Sequence, residues 1–185
     1  MSLFKNVIVF CIDPTWSQDL AQAEEALSAH RFAPCGASQE KSTGWVPPRG
    51  QEHGPLIESI QGQWLLEFMI EAKTVPGSVV RRKVEERVAQ IEATTGRRPG
   101  RKEQKEMKEQ VTHELLPMAF SRFVRVMVWI DRTQRRLVIN AGNLARADEV
   151  VSSLVEQLPG LGVSALHTAI EPASVAFSLD AEGKI

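Results

Sequence analysis

The chain has 185 residues, 43% of them hydrophobic and 24% charged, with 22 basic and 23 acidic groups and a formal net charge of −1. That apolar fraction excludes disorder as the dominant state and is enough for a buried core, with or without an appendage. The apolar run at residues 7–12 is too short for a signal-peptide core or a membrane span, so a cytoplasmic protein with no membrane contact is expected.

Residues 3–13 are β-branched and aromatic and end at Asp13-Pro14, which reads as a strand stopping at a turn. A helix follows, with Ser17 as its N-cap and Leu20, Ala23, Ala26 and Leu27 at helical spacing. Residues 31–55 are punctuated by prolines and glycines and read as one long loop, which Trp45 packs down. Residues 56–61 and 63–72 read as a hairpin turning at Gln61-Gly62, with Trp64, Leu66, Phe68 and Ile70 on one face.

Ser78 is the expected N-cap of a helix whose stripe is Val80, Val84, Val88 and Ile91. A break at residues 94–100 precedes a second helix, Arg101 to Leu116, with the sparse stripe Met107, Val111 and Leu115. Both stripes are thin, so this antiparallel pair should project from the body and be largely solvated. Pro117 ends it. Residues 119–131 are apolar at alternate positions on both faces, which predicts a central strand covered on both sides, with Phe120, Val124, Val126, Val128 and Ile130 on one face. Trp129 and Trp64 should therefore both be buried. A partner strand, Arg136 to Ala141, a helix from about Ala145 to Leu158 and a short strand, Val163 to His167, complete the pattern.

The order is β-α-β-β, a projecting charged helical hairpin, then β-β-α-β. That is an α+β fold with mixed or antiparallel sheets and helices packed on one side. It divides into a first β/α unit (1–75), a finger-like hairpin insertion (76–117) and a second β/α unit (118–185).

Charge is segregated along this order. Residues 1–72 sum to −5, residues 73–108 to +6, residues 121–146 to +5 and residues 147–185 to −5. Two basic blocks between acidic flanks are the footprint of a surface that meets a polyanion, although a charged helix pair also needs such residues for solvation. Catalytic patterns are absent by contrast. His30, His53, His113 and His167 are scattered with no metal-binding spacing, and Cys11 and Cys35 are too distant for a CxxC pair. There is no nucleophile elbow, Walker A loop or dinucleotide fingerprint. Asp13 and Asp131 each end a strand and could hold Mg²⁺, but a turn-initiating role accounts for both.

The first basic block holds eleven Lys/Arg and no Phe, Trp or Tyr, so it cannot stack bases as single-strand binders do. Nor does the two-helix unit have the compact turn of a helix-turn-helix reader. Phosphate contact remains, which gives affinity without sequence information. The candidate DNA-binding residues are Arg81, Arg82, Lys83, Arg87, Arg97, Arg98, Arg101, Lys102 and Lys105 in the first block, and Arg122 and Arg125 in the second. Arg97, Arg98, Arg101 and Lys102 gather at the hairpin tip. Arg132, Arg135 and Arg136 extend the second block.

The strings RFAPCG (31–36), GWVPPRG (44–50), LLPMAFSRF (115–123) and VWID (128–131), with LFKN (3–6) before them, resemble the signature of the recombination-associated RdgC family. The resemblance covers nearly the whole chain but only the N-terminal part of a typical family member, with FSLDAEGKI at most a remnant of the second half. It implies a nucleoid-associated protein that pairs head to tail into a ring, a homodimer around double-stranded DNA bound without sequence preference. It also implies antagonism of RecA in recombination and replication, no catalytic activity and no cofactor. Phe120, with Met118 beside it, matches the position that touches the partner protomer; a core aromatic at the start of the strand is the other reading of Phe120. A protein-interaction module using the solvated hairpin is the alternative function, and a metal-dependent nuclease using Asp13 or Asp131 a third.

Overall fold

The computed structural model describes residues 5–166. In chain order it contains β1 (Ile8–Ile12), α1 (Leu20–Ser28), β2 (Lys41–Val46), β3 (Ile57–Ile60), β4 (Gln63–Lys73), α2 (Gly77–Thr95) and α3 (Arg101–Leu115). A 3-10 turn (Leu116–Met118) leads into β5 (Ser121–Asp131), β6 (Arg136–Ile139), α4 (Leu144–Gln157) and β7 (Val163–Ala165). The end proposed for the last strand at His167 and the segment FSLDAEGKI lie outside the described residues.

All seven strands join one sheet in the order β2-β4-β5-β6-β1-β7, with β3 also paired to β4, and every pairing is antiparallel. The fold is α+β. The long pairing of β4 with β5, from Trp64↔Ile130 to Lys73↔Ser121, is its spine, and α2 and α3 are inserted between these two strands. The β3–β4 turn forms where expected, with Gln61 and Gly62 both at positive φ (52° and 81°), the backbone a two-residue hairpin needs.

One face of the sheet is covered. Trp64, Leu66, Phe68 and Ile70 of β4 join Val126, Val128 and Ile130 of β5, Leu137 and Ile139 of β6, and Phe10 and Ile12 of β1. Ala23 and Leu27 of α1 and Ala147, Val150 and Leu154 of α4 close over them. Trp16 meets Trp64 edge-on at 5.8 Å, and the Arg132 guanidinium lies 4.7 Å from the Trp64 ring centre.

The other face carries no helix of this core, and this corrects the reading of β5. Phe123 is 54% exposed and Trp129 36%, so β5 is central in the strand order but its second face is only partly covered. Both described core helices went to the same face, and α2 and α3 pack mainly on each other. Phe120 precedes the strand and is 93% exposed, which removes its reading as a core aromatic.

Three local expectations also change. Residues 41–46 of the expected loop form β2, with Trp45 buried in it and its indole N–H donating to Gln157 Oε1 at 2.5 Å. Gly44 is required there: a Cβ would sit 2.5 Å from the Cα of Phe32, whose backbone runs alongside β2 through the parallel Arg31–Trp45 bridge. Asp19, not Ser17, caps α1 by accepting from the Gln22 N–H, and Pro76 rather than Ser78 stands at the N-cap of α2.

Candidate nucleic-acid interface

Helix α2 is rich in Glu, Arg, Lys, Gln and Ala, which favour helix, and it ends on Gly96 in the left-handed region (φ 68°), whose N–H bonds to the Glu92 carbonyl. Five residues, 96–100, link it to α3, longer than the turn of a helix-turn-helix. At the start of α3 the Glu103 carboxylate reaches back to accept from the Gly100 N–H at 2.8 Å. The two helices pack through a small separate cluster, Val80, Val111 and Leu115, with Val75 and Val84 partly buried against it. Val88 is buried as expected, while Met107 and Ile91 are half-buried. The hairpin is largely solvated.

The structure sorts the candidate cations into two groups. Arg97 is tied to Glu103 by two bonds of 2.7 and 3.2 Å. That pairing raises Arg97 above its ordinary range and, together with the Gly100 N–H, lowers Glu103. Arg87 donates to Glu114 at 2.5 Å, linking α2 to α3. Arg82–Glu86 (3.4 Å) and Lys105–Glu109 (4.0 Å) are loose, exposed i,i+4 contacts that water screens. Arg81, Lys83, Arg98, Arg101, Lys102 and Lys108 form no ion pair within 4.0 Å among the described residues. The tip cluster is therefore not four equivalent free charges, since Arg97 fastens the turn.

The second block divides further. Arg122 and Arg125 lie near the hairpin end of β5. Arg125 contacts the buried Glu67 at 3.4 Å; burial pushes the Glu67 carboxyl up and Arg125 opposes it. Arg132 and Arg135 lie past the other end of β5, roughly 33 Å from Arg122 along the strand at about 3.3 Å per residue. They brace the body instead: Arg132 donates to the Gln18 carbonyl at 3.1 Å and Arg135 to the Trp16 carbonyl at 2.6 Å. These partners are over a hundred residues away in sequence, so only the fold reveals them.

Glu71 anchors the root of the hairpin. Its carboxylate accepts from the Ser121 hydroxyl and, at 2.6 Å, from the Cys35 N–H, and both hold it below the ordinary range. Beside this root, within six residues of chain, Met118 (71% exposed), Phe120 and Phe123 are exposed apolar side chains. Phe32 meets Phe123 edge-on at 6.4 Å.

The strand-end carboxylates are engaged locally. Asp13 accepts from the Thr15 hydroxyl and N–H at 2.7 and 2.8 Å, which lowers it. Asp131 accepts from the N–H groups of Gln134 (2.8 Å) and Thr133 (3.0 Å) and is lowered chiefly by the first. Their strands flank β6 and Asp131 stands level with Cys11 across Arg136, so Asp13 lies two strand spacings across and two residues further along, roughly 12 Å between backbones. Among the described residues no group of three or more His, Cys, Asp or Glu could hold a metal ion, and no helix is long and apolar enough to cross a membrane.

Residues 2–177 match the family described as "RdgC: Putative exonuclease, RdgC". The chain is 38% identical over 169 residues to the recombination-associated protein RdgC of Dechloromonas aromatica (strain RCB), covering 91% of this chain and 55% of that protein. It is 39% identical over 169 residues to the protein of the same name from Janthinobacterium sp. (strain Marseille), covering 91% and 56%. Against that of Bordetella pertussis (strain Tohama I) it is 40% identical over 173 residues, covering 92% and 56%. The chain thus spans little more than half the length of these curated relatives.

Proposed function

The chain belongs to the RdgC family, which carries a role in recombination, and from that premise we propose that it binds duplex DNA through phosphate contacts without reading sequence. The observation that carries this reading is the set of unpaired cations on a hairpin that holds no aromatic residue in its basic block. Such a surface supplies counterion-releasing contacts and nothing that stacks on or reads bases. Self-pairing belongs to the same reading: the solvated patch of Met118 and Phe120 suits the contact surface of a head-to-tail homodimer that closes a ring around DNA. Occupancy of duplex by such a protein, in the nucleoid, would limit the access of RecA.

The reading is non-catalytic, whereas the matching family's description says "Putative exonuclease", so both belong in one experiment. The chain is titrated with random, AT-rich and GC-rich duplexes and with single strands at several salt concentrations, and linear and supercoiled DNA is incubated with Mg²⁺. Equal duplex affinities that fall steeply with salt, weaker single-strand binding and intact DNA are expected. A sequence preference or a shallow salt slope would overturn the phosphate reading and favour protein interaction through the hairpin. Degradation abolished by EDTA would establish nuclease activity.

A further inference from the structure

A groove of about 450 Å³ runs between α2 and α3. Arg81 of α2 and Arg101, Lys105 and Lys108 of α3 line it, with Gln104 beside them and Glu85 as the one carboxylate. Arg101, Lys105 and Lys108 follow i, i+4, i+7 spacing, which puts them on one helix face. They span seven residues, about 10 Å of helix axis at 1.5 Å per residue. Phosphates of one duplex strand recur about every 3.4 Å along the axis, so the row matches about three of them. Among the described residues Arg81, Arg101 and Lys108 have no ion pair within 4.0 Å, and Lys105 touches Glu109 only at 4.0 Å. The tip, by contrast, has Arg97 neutralised by Glu103.

We propose that this interhelical groove, and not the turn fastened by Arg97, is the track for a phosphodiester backbone, with Arg81, Arg101, Lys105 and Lys108 as its contacts. Lys108 thereby joins the binding residues although sequence reading passed over it. The inference rests on the duplex-binding reading above and sharpens it to one face of the hairpin.

Two triple variants remove equal charge. Arg81→Gln/Arg101→Gln/Lys108→Gln strips the groove; Lys5→Gln/Lys41→Gln/Arg49→Gln strips exposed cations of the sheet body outside it. All six side chains are exposed, and far-UV circular dichroism checks that both variants keep their helices. The readout is the slope of log affinity for random duplex against log salt. The groove variant should lose about 2.7 from the slope, at about 0.9 per phosphate contact, and the control should keep the parent slope. Equal losses in both variants would overturn the groove while leaving duplex binding intact, because the charge would then act diffusely. Absence of duplex binding by the parent chain would remove the underlying reading and the groove with it.

Discussion

The sheet body and the α2–α3 hairpin hold their shapes by different means. Among the described residues the body closes 23 buried hydrophobic residues into one cluster, drawn from six strands, two helices and the segments between them. The hairpin buries three residues in its own cluster and adds two ion-paired links, Arg97–Glu103 at the tip and Arg87–Glu114 between the helices. A segment with so small a core depends on its neighbours and its length for stability, and apart from those two links its surface cations carry no packing role. Stability resides in the body, and the proposed binding chemistry falls to the hairpin.

The contrast is sharpest at the tryptophans. Trp64→Ala should cost about 3–5 kcal/mol in a urea or thermal melt, because the ring is enclosed by Trp16, Arg132 and the core. Trp129→Ala, on the partly covered face, should cost less than Trp64→Ala, about 1–2 kcal/mol. Equal costs would mean that the second face is covered in solution. Val111→Ala should cost about 1–2 kcal/mol, from two lost methyl groups. It should appear as faster hydrogen exchange within residues 77–115, with little change in the body's melt.

Two carboxylates on β4 offer the smallest and most pH-dependent test. Glu67 is raised by burial, so the fold favours its protonated form; that contribution is full in acid and is lost as pH rises through the folded value. Glu67→Gln should therefore stabilise the protein at neutral pH, by less than about 1 kcal/mol, with the gain vanishing in acid. Glu71 is lowered, chiefly by the Ser121 hydroxyl, so its contribution is present at neutral pH and is lost as pH falls through its folded value. Glu71→Gln should lower the melting midpoint at pH 7 and make little difference in acid.

Much of this fold is legible in the sequence because its signals are local. The alternation of Trp64, Leu66, Phe68 and Ile70, the Gln61-Gly62 turn and the valine stripe of α2 each depend on residues a few positions apart. Strand β2 is hidden because its sequence, KSTGWV, is mostly polar and its glycine answers to Phe32, twelve residues away. The exposure of Trp129 is hidden for another reason: period-two patterning shows two faces but not which one the helices cover. At the site, the cations are countable in the sequence. Which of them are tied to Glu114 or to the Trp16 and Gln18 carbonyls depends on chain-distant geometry, and the Arg97–Glu103 tie on how the five-residue turn folds.

The central claim, that binding belongs to the hairpin while the body serves as scaffold, is tested most directly by hydrogen exchange with and without random duplex. Slower exchange is expected across residues 77–115, with the paired amides of β4 and β5 unchanged. Protection confined to the exposed face of the sheet, with the hairpin unaffected, would contradict it.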